Sequence, residues 1–297
     1  MVKDPKPYFL YLENVHKAYG DKMVLDDIDL AVSKGEFCTL VGPSGCGKST
    51  LFRLILGQER PISGSIMVGG KPVGYPNPER GIVYQKYPLY PHLSVLDNVL
   101  LGPRFSTGIF ERYSRRKEMR DEAMEYLKRV GLENHKDKYP HELSGGMQQR
   151  VAIVQALIMK PKILMMDEPF GALDPSTREN LQIFTLEIWE EFKMTVFFVT
   201  HDLEEAVFLG TRVLALSQYY SDGRGNNFGR GSKIVFDVAL ARRVNATAVK
   251  DLPEFRGLIQ QIRQDAFDPV HFQHVTRFNL KHPDSFQTLT EEERKDL

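Results

Sequence analysis

Apolar positions along the chain follow two rhythms, short β-type runs toward the start and in the later part, and a helical period in the middle. Phe9 to Val15 and Val24 to Val32 predict strands around the turn Ala18-Tyr19-Gly20-Asp21. Glu36 to Val41 is a short, mostly apolar run between Gly35 and Gly42, the composition of a strand buried on both faces of a parallel sheet. A glycine-rich turn follows, and Ser49 to Leu56 reads as an apolar helix. Ile66 to Val68 and Gly81 to Tyr84 are further strand candidates between Gly and Pro punctuation.

From Ser114 to Val130 the chain is strongly charged, with Met119, Ala123, Met124, Leu127 and Val130 at helical spacing. Ser144 to Met159 predicts a second helix, opening at Gly145-Gly146. Strand signals return at Ile163 to Met166, Thr195 to Thr200, Val213 to Leu216 and Ile234 to Val238, with a helix at Leu181 to Phe192. Strands interleaved with helices predict an α/β core with an inserted helical subdomain over about residues 86–160. Beyond Ala241 the pattern weakens, although Asp251 to Arg263 has helical character. The reading is a body over 1–240 and an extension over 241–297.

Composition narrows the function classes. The 297 residues carry 39 Lys and Arg against 39 Asp and Glu, a balance that argues against nucleic acid as a partner. Two cysteines, Cys38 and Cys46, are too few for a disulfide framework and are not spaced as zinc ligands. No run approaches the roughly 20 apolar residues that span a bilayer, and the start leads into no signal-peptide core. Membrane work by this protein therefore implies that another chain does the spanning.

Three motifs carry chemistry. Gly42-Pro43-Ser44-Gly45-Cys46-Gly47-Lys48-Ser49 fits the phosphate-binding P-loop, placed between a strand and a helix as that motif requires. Glycines let backbone N–H groups turn toward a phosphate, and the helix that follows directs its positive end at it. Lys48 is expected to reach the β- and γ-phosphates and Ser49 to hold Mg²⁺. Ile163 to Met166 is an apolar strand delivering Asp167 and Glu168 at its carboxyl end, Asp167 suited to a Mg²⁺-linked role and Glu168 to positioning or deprotonating water. Leu143-Ser144-Gly145-Gly146 places two glycines behind a serine N-cap, a second anion grip.

With these motifs in this order, the chain resembles the ATP-binding subunit of ABC transporters over roughly residues 8–240. The resemblance implies a P-loop NTPase (RecA-like) α/β core with the inserted helical subdomain and an N-terminal antiparallel β region. It implies ATP and Mg²⁺ as cofactors and ATP hydrolysis as the activity. The nucleotide would contact Tyr19, whose ring stacks on adenine, and Gly42, Pro43, Ser44, Gly45, Cys46, Gly47, Lys48, Ser49 and Thr50. A second ATPase subunit, identical or homologous, would add its Ser144, Gly145 and Gly146, with Asp174 bridging the two subunits. Gln85 matches the glutamine that touches Mg²⁺ and the attacking water, joining Ser49 and Asp167 as a metal residue. His201 matches the histidine that holds the γ-phosphate, and with Glu168 and Gln85 completes the catalytic set.

The same resemblance implies transmembrane permease subunits, a periplasmic or lipid-anchored solute-binding protein, and a peripheral place on the cytoplasmic face of the inner membrane. Pro169 to Asp174 and Thr200 to Ala206 are similar to the nitrate, sulfonate and taurine importers, which predicts a small anionic or sulfonate-like solute. Amine or polyamine importers and lipid transporters share many of these features. A DNA-maintenance ATPase of the same superfamily would carry a long coiled coil between its motifs, and none is present. Gln148 stands where arginine is more usual. Two segments depart from the pattern: the glycine-rich stretch Gln218 to Gly231, read as a flexible hairpin loop or a contact with a partner or membrane surface, and the arginine-rich stretch Pro103 to Arg120, read as a solvated face or a contact with anionic lipid or a membrane subunit. The extension is expected to dock on the partner ATPase, and Tyr87, Leu89 and Tyr90 to serve a hinge and a groove for a permease helix.

Overall fold

A computed structural model describes residues 8–84, 89–171, 173–227, 229–240 and 253–297. Gln85, Tyr87, Ala172, Phe228 and the stretch 241–252 lie outside the described residues. In chain order come β1 (Leu10–Tyr19), β2 (Lys22–Val32), β3 (Phe37–Val41), α1 (Lys48–Leu56), β4 (Ser63–Val68), β5 (Lys71–Pro72) and β6 (Arg80–Val83). Next are α2 (Val95–Ser106), α3 (Ile109–Ser114), α4 (Arg116–Arg129), α5 (Gly145–Leu157), β7 (Ile163–Asp167), α6 (Pro175–Phe192), β8 (Thr195–Val199) and α7 (Leu203–Leu209). The later part holds β9 (Arg212–Ser217), β10 (Tyr220–Asp222), β11 (Gly225–Asn226), β12 (Lys233–Ala239), α8 (Pro253–Ile262), β13 (Gln273–His274) and β14 (Asn279–Leu280). These elements form two compact units, one of Asn77–Met194 and one of the residues up to Pro76 together with Thr195–Leu297.

The unit built from both ends of the chain holds strands of two larger sheets and of a small third one, β11, β10 and β13 in that order. β2, β1, β4 and β5 form the expected antiparallel sheet in that order. In the other larger sheet, β3 lies between β8 and β9, parallel to both, and all five of its residues are buried. β12 pairs antiparallel with β9, and β14 adds to its far edge in parallel. The extension packs on this sheet rather than standing apart. In α8, Phe255, Ile259 and Ile262 repeat at helical spacing and join a core with Val213, Val235 and Phe236. Phe286 stacks on Tyr11 with ring centroids 5.1 Å apart.

The stretch Gln218 to Gly231 is a hairpin, as expected, but its anchoring corrects the reading of a flexible loop. Buried Tyr220 donates its hydroxyl to Asp26 at 2.7 Å, and Asn227 donates to the carbonyls of Gln218 and Gly231, bridging the two ends. Arg224 and Arg230 both close on the buried carboxylate of Asp222. Despite burial, which raises it, the Asp26 carboxyl is held well below its usual range by hydrogen bonds from His16, Tyr220 and Arg224.

In the Asn77–Met194 unit, β6 and β7 pair in parallel and α2 packs on α4 and α5. α2 is not among the elements expected from the sequence, although Val95, Val99 and Leu100 stand at helical spacing, and it carries Gly102 and Pro103 in its second half. Its start is nevertheless well made. Ser94 caps it by accepting from the amide of Asp97, and Val95, Val99 and Leu100 bury their side chains. Gly102 allows a close approach, since a Cβ there would lie 2.7 Å from Met159 Sδ. Fully buried Asn98 accepts from the amide of Tyr90 and donates to the carbonyls of Tyr90, Leu93 and Ser94, so it organises the turn leading into the helix.

Arg212, at the start of β9, is completely buried. Its Nε and Nη2 donate to the two carboxylate oxygens of Asp237 on β12 at 2.7 and 2.6 Å. Its Nη1 donates to the Ala31 carbonyl of β2 at 2.7 Å and to Glu36 at 3.0 Å. Removing one partner strands a buried charge, whereas replacing both by apolar residues removes the two buried charges and leaves Glu36, which is partly exposed. Asp237→Ala is therefore expected to lower stability by about 3–5 kcal/mol. Arg212→Met combined with Asp237→Leu should cost far less, and urea unfolding of the three chains measures the difference.

Candidate functional site

The glycine-rich loop lies where its sequence placed it, between β3 and α1. Gly42 is held against β9: a Cβ on it would sit 2.2 Å from the Leu216 carbonyl oxygen and 2.9 Å from Cys46 Sγ. Gly47, with φ of 98°, would bring a Cβ to 2.8 Å from Leu25 and 2.9 Å from Val24. These are places where only glycine lets the chain turn. Gly47 gives α1 no side-chain cap, and the first turn of α1 holds no acidic residue. The positive end of α1 thus carries neither a capping side chain nor a carboxylate, the arrangement that suits a bound phosphate.

Lys48 is drawn over the loop that precedes it, donating to the carbonyls of Gly42 at 2.7 Å and Pro43 at 3.0 Å. Two of its three N–H donors are thereby fixed, which locates the charge at the loop. Ser49 is exposed and Thr50 is buried. The Cys46 and Cys38 thiols are both pushed up by burial, in keeping with small packing residues rather than reactive ones. Tyr19, at the end of β1, leaves 44% of its surface exposed and donates its hydroxyl to Glu59 at 2.7 Å. Lys17 lies 5.1 Å from the centre of the ring. His201 follows β8 and is exposed, while Asp202 caps α7 by accepting from the amides of Glu204 and Glu205.

The Asn77–Met194 unit holds the remaining described candidates. β7 buries Ile163 to Met166 and ends at half-buried Asp167. Glu168 follows with φ of 45°, a left-handed conformation that non-glycine residues seldom adopt. Its carbonyl accepts from the Gly171 amide, closing the turn toward Asp174. Sequence patterns carry no signal for this backbone strain.

Ser144 caps α5, its Oγ accepting from the Met147 amide at 3.3 Å. Gly145 is open, with no atom within 4 Å of a hypothetical Cβ, whereas a Cβ on Gly146 would meet Leu173 at 3.1 Å. Gln148, the departure from arginine, donates to the Pro140 carbonyl at 2.8 Å and the Leu143 carbonyl at 3.3 Å, tying down the approach to the helix. Asp174 caps α6, and the hydrogen bond it accepts from the Thr177 amide holds its carboxyl below the usual range. Capping thus accounts for the local conformation at Ser144 and Asp174, as it does at Asp202. The P-loop, Tyr19 and His201 belong to one unit, and Asp167, Glu168, Asp174 and Ser144 to Gly146 to the other.

Known proteins match this arrangement. Residues 25–171 match the ABC transporter family. The nitrate import ATP-binding protein NrtD of Synechococcus elongatus is 39% identical over 269 residues, which cover 88% of this chain and 90% of that protein. The taurine import ATP-binding protein TauB of Rhizobium johnstonii is 42% identical over 245 residues, 80% of this chain and 87% of that one. Among solved structures, the ATP-binding cassette MJ0796, a dimer in a post-hydrolysis state bound to ADP and Pi, is similar with a TM-score of 0.64 and 30% identity over 79% of this chain and 100% of that one. With a glycine cradle ahead of an uncapped helix, an acidic strand end and relatives of this kind matched over most of their length, the chain belongs to the ATP-binding proteins of the ABC transporter family.

Proposed function

We propose that this chain is the ATP-hydrolysing subunit of an importer for a small anionic or sulfonate-like solute, working in a pair on transmembrane permease subunits. The observation that carries the ATPase reading is the uncapped positive end of α1 behind a loop in which Gly42 and Gly47 admit no side chain. The solute class is supported by relatives named for nitrate and taurine import. Pairing is supported by the solved cassette that is a dimer. No helix among the described residues is long and apolar enough to cross a membrane. The place we propose, on the family resemblance, is peripheral at the cytoplasmic face of the inner membrane, with a solute-binding protein delivering cargo on the other side.

In this reading the loop amides and Lys48 hold the phosphates, and Tyr19 stacks on the adenine. The hydroxyl of Ser49 and the carboxylate of Asp167 are oxygen donors of the type Mg²⁺ takes, with Gln85 as a further ligand. Mg²⁺, when bound, offsets charge on the phosphate oxygens. Glu168 orients the attacking water and takes its proton, and His201 holds the γ-phosphate in place. Ser144, Gly145 and Gly146 of one subunit grip the nucleotide held by the other, and Asp174 bridges the pair.

Glu168→Gln is expected to retain ATP binding while hydrolysis falls by about 10²–10⁴-fold, the usual loss when a positioned base is removed. Parallel nucleotide-binding and phosphate-release assays on the purified transporter check this, and an unchanged rate would remove Glu168 from the role.

The composite site has its own test. Lys48→Ala disables one face and Ser144→Arg the other, so each variant alone should be inactive as a pair of like chains. Mixing the two should restore hydrolysis to at most about half the wild-type rate, because a mixed pair keeps one intact site. A chain that is monomeric at assay concentration and fully active would contradict the shared site.

A further inference from the structure

The end of α2, α3 and the start of α4 concentrate charge in a chain that is otherwise balanced. Residues 103–120 hold Arg104, Arg112, Arg115, Arg116, Lys117 and Arg120 against only Glu111 and Glu118. Both carboxylates close on the same cation. Arg115 donates to Glu111 at 3.2 Å and to the two oxygens of Glu118 at 2.9 and 3.1 Å. Arg104 is held by Asp97 at 2.9 Å. Among the described residues no carboxylate pairs with Arg112, Arg116, Lys117 or Arg120, and all four are exposed. Arg116 and Arg120 are four residues apart on α4 and so share a helix face. Arg104, Arg112, Arg116 and Arg120 line a groove of about 660 Å³ together with Tyr113 and Met119.

Aromatic rings occupy the same stretch of chain. Phe105, Phe110 and Tyr113 are 81%, 93% and 83% exposed, although apolar surface of this size is normally kept from water. Unpaired guanidiniums repel one another, and bare rings invite aggregation. An anionic bilayer surface satisfies both, since lipid phosphates accept from guanidinium forks while rings rest at the boundary of the acyl chains.

We propose that α3, with the adjoining ends of α2 and α4, is a docking face for anionic phospholipid, the lipid phosphates seated in the arginine-lined groove and Phe105, Phe110 and Tyr113 at the interface. This rests on the reading of the chain as a membrane-associated transport ATPase, and it gives the subunit an affinity for the bilayer beyond its grip on the permease. An acidic protein surface is the competing occupant. The bare rings favour lipid over it, because an acidic polypeptide has no requirement for three exposed aromatics.

Flotation of the full chain with vesicles tests the assignment. Partition onto vesicles of equal phosphatidylglycerol and phosphatidylcholine is expected to exceed that onto phosphatidylcholine alone by about tenfold or more, and to weaken as salt shortens the screening length. The triple variant Arg112→Glu, Arg116→Glu, Arg120→Glu should fall to the neutral-vesicle level, while the corresponding triple change to Lys keeps most of the binding. Phe110→Ser should lower partition several-fold without altering its salt dependence. Equal partition onto both vesicles, or a charge-reversed chain that binds like the wild type, overturns the proposal. So does retention on immobilised polyglutamate by a chain that ignores the vesicles, which would assign the face to an acidic protein. ATP binding is followed in the same samples. A wild-type chain that binds ATP and ignores anionic vesicles defeats the lipid face alone, whereas one that binds vesicles but not ATP strikes the ATPase reading instead.

Discussion

A fully buried guanidinium has few solutions, and the one at Arg212 organises the unit that contains the P-loop. Its fork is matched by the Asp237 carboxylate, and its remaining nitrogen reaches Ala31 and Glu36, so β9, β12, β2 and the approach to β3 are fastened at one point. Asp237 carries the connection further, because its carbonyl accepts from the amides of Lys281 and His282 and its carboxylate from Ser285. The extension is thereby tied to the same node. β9 in turn pairs in parallel with β3, and its Leu216 carbonyl occupies the space that a side chain on Gly42 would need. The shape of the phosphate loop thus depends on where β9 lies, and Arg212 is the residue that fixes its first turn of hydrogen bonding to neighbouring strands.

This dependence explains what was legible in the sequence. The P-loop, the acidic end of β7 and the serine–glycine start of α5 are local: a handful of consecutive residues state both the backbone they need and the ligand they suit. The apolar runs of β3, β7, β8 and β9 are similarly plain, because a strand buried on both faces has no polar positions to confuse the period. Arg212 gives no such sign. An arginine heading a strand reads as an exposed end, and only the pairing of β9 with β12 reveals that it is interior. The extension was obscure for the same reason, since Phe286 and Ser285 find their partners, Tyr11 and Asp237, far away in the chain. α2 was hidden differently. Gly102 and Pro103 are breakers by local propensity, and the packing of Val95, Val99 and Leu100 outweighs them.

The candidate site also shows why single residues in it admit two readings. Ser144, Asp174 and Asp202 are each N-caps, and a cap is sufficient reason for Ser or Asp at a helix start. A cap and an anion grip are compatible, since Ser144 takes only the Met147 amide and leaves Gly145 open to approach. At α1 the two readings separate. Gly47 has no side chain with which to cap, and the first turn of α1 carries no carboxylate. A helix that needs an anion and carries none of its own is evidence for a ligand in a way that a capped helix is not.

Glu168 extends that logic from binding to chemistry. A left-handed backbone at a residue with a Cβ costs of order 1–2 kcal/mol, which glycine or asparagine at that position would reduce. Retaining a carboxylate at a strained position, directly after Asp167 at the carboxyl end of a buried strand, is explained if the side chain has work that neither small residue can do. Pattern and strain are independent observations, one read from sequence order and the other from φ. Lys160 and Lys193 share the left-handed backbone, so strain alone assigns no role; the place of Glu168 directly after Asp167 is what supports the one proposed for it.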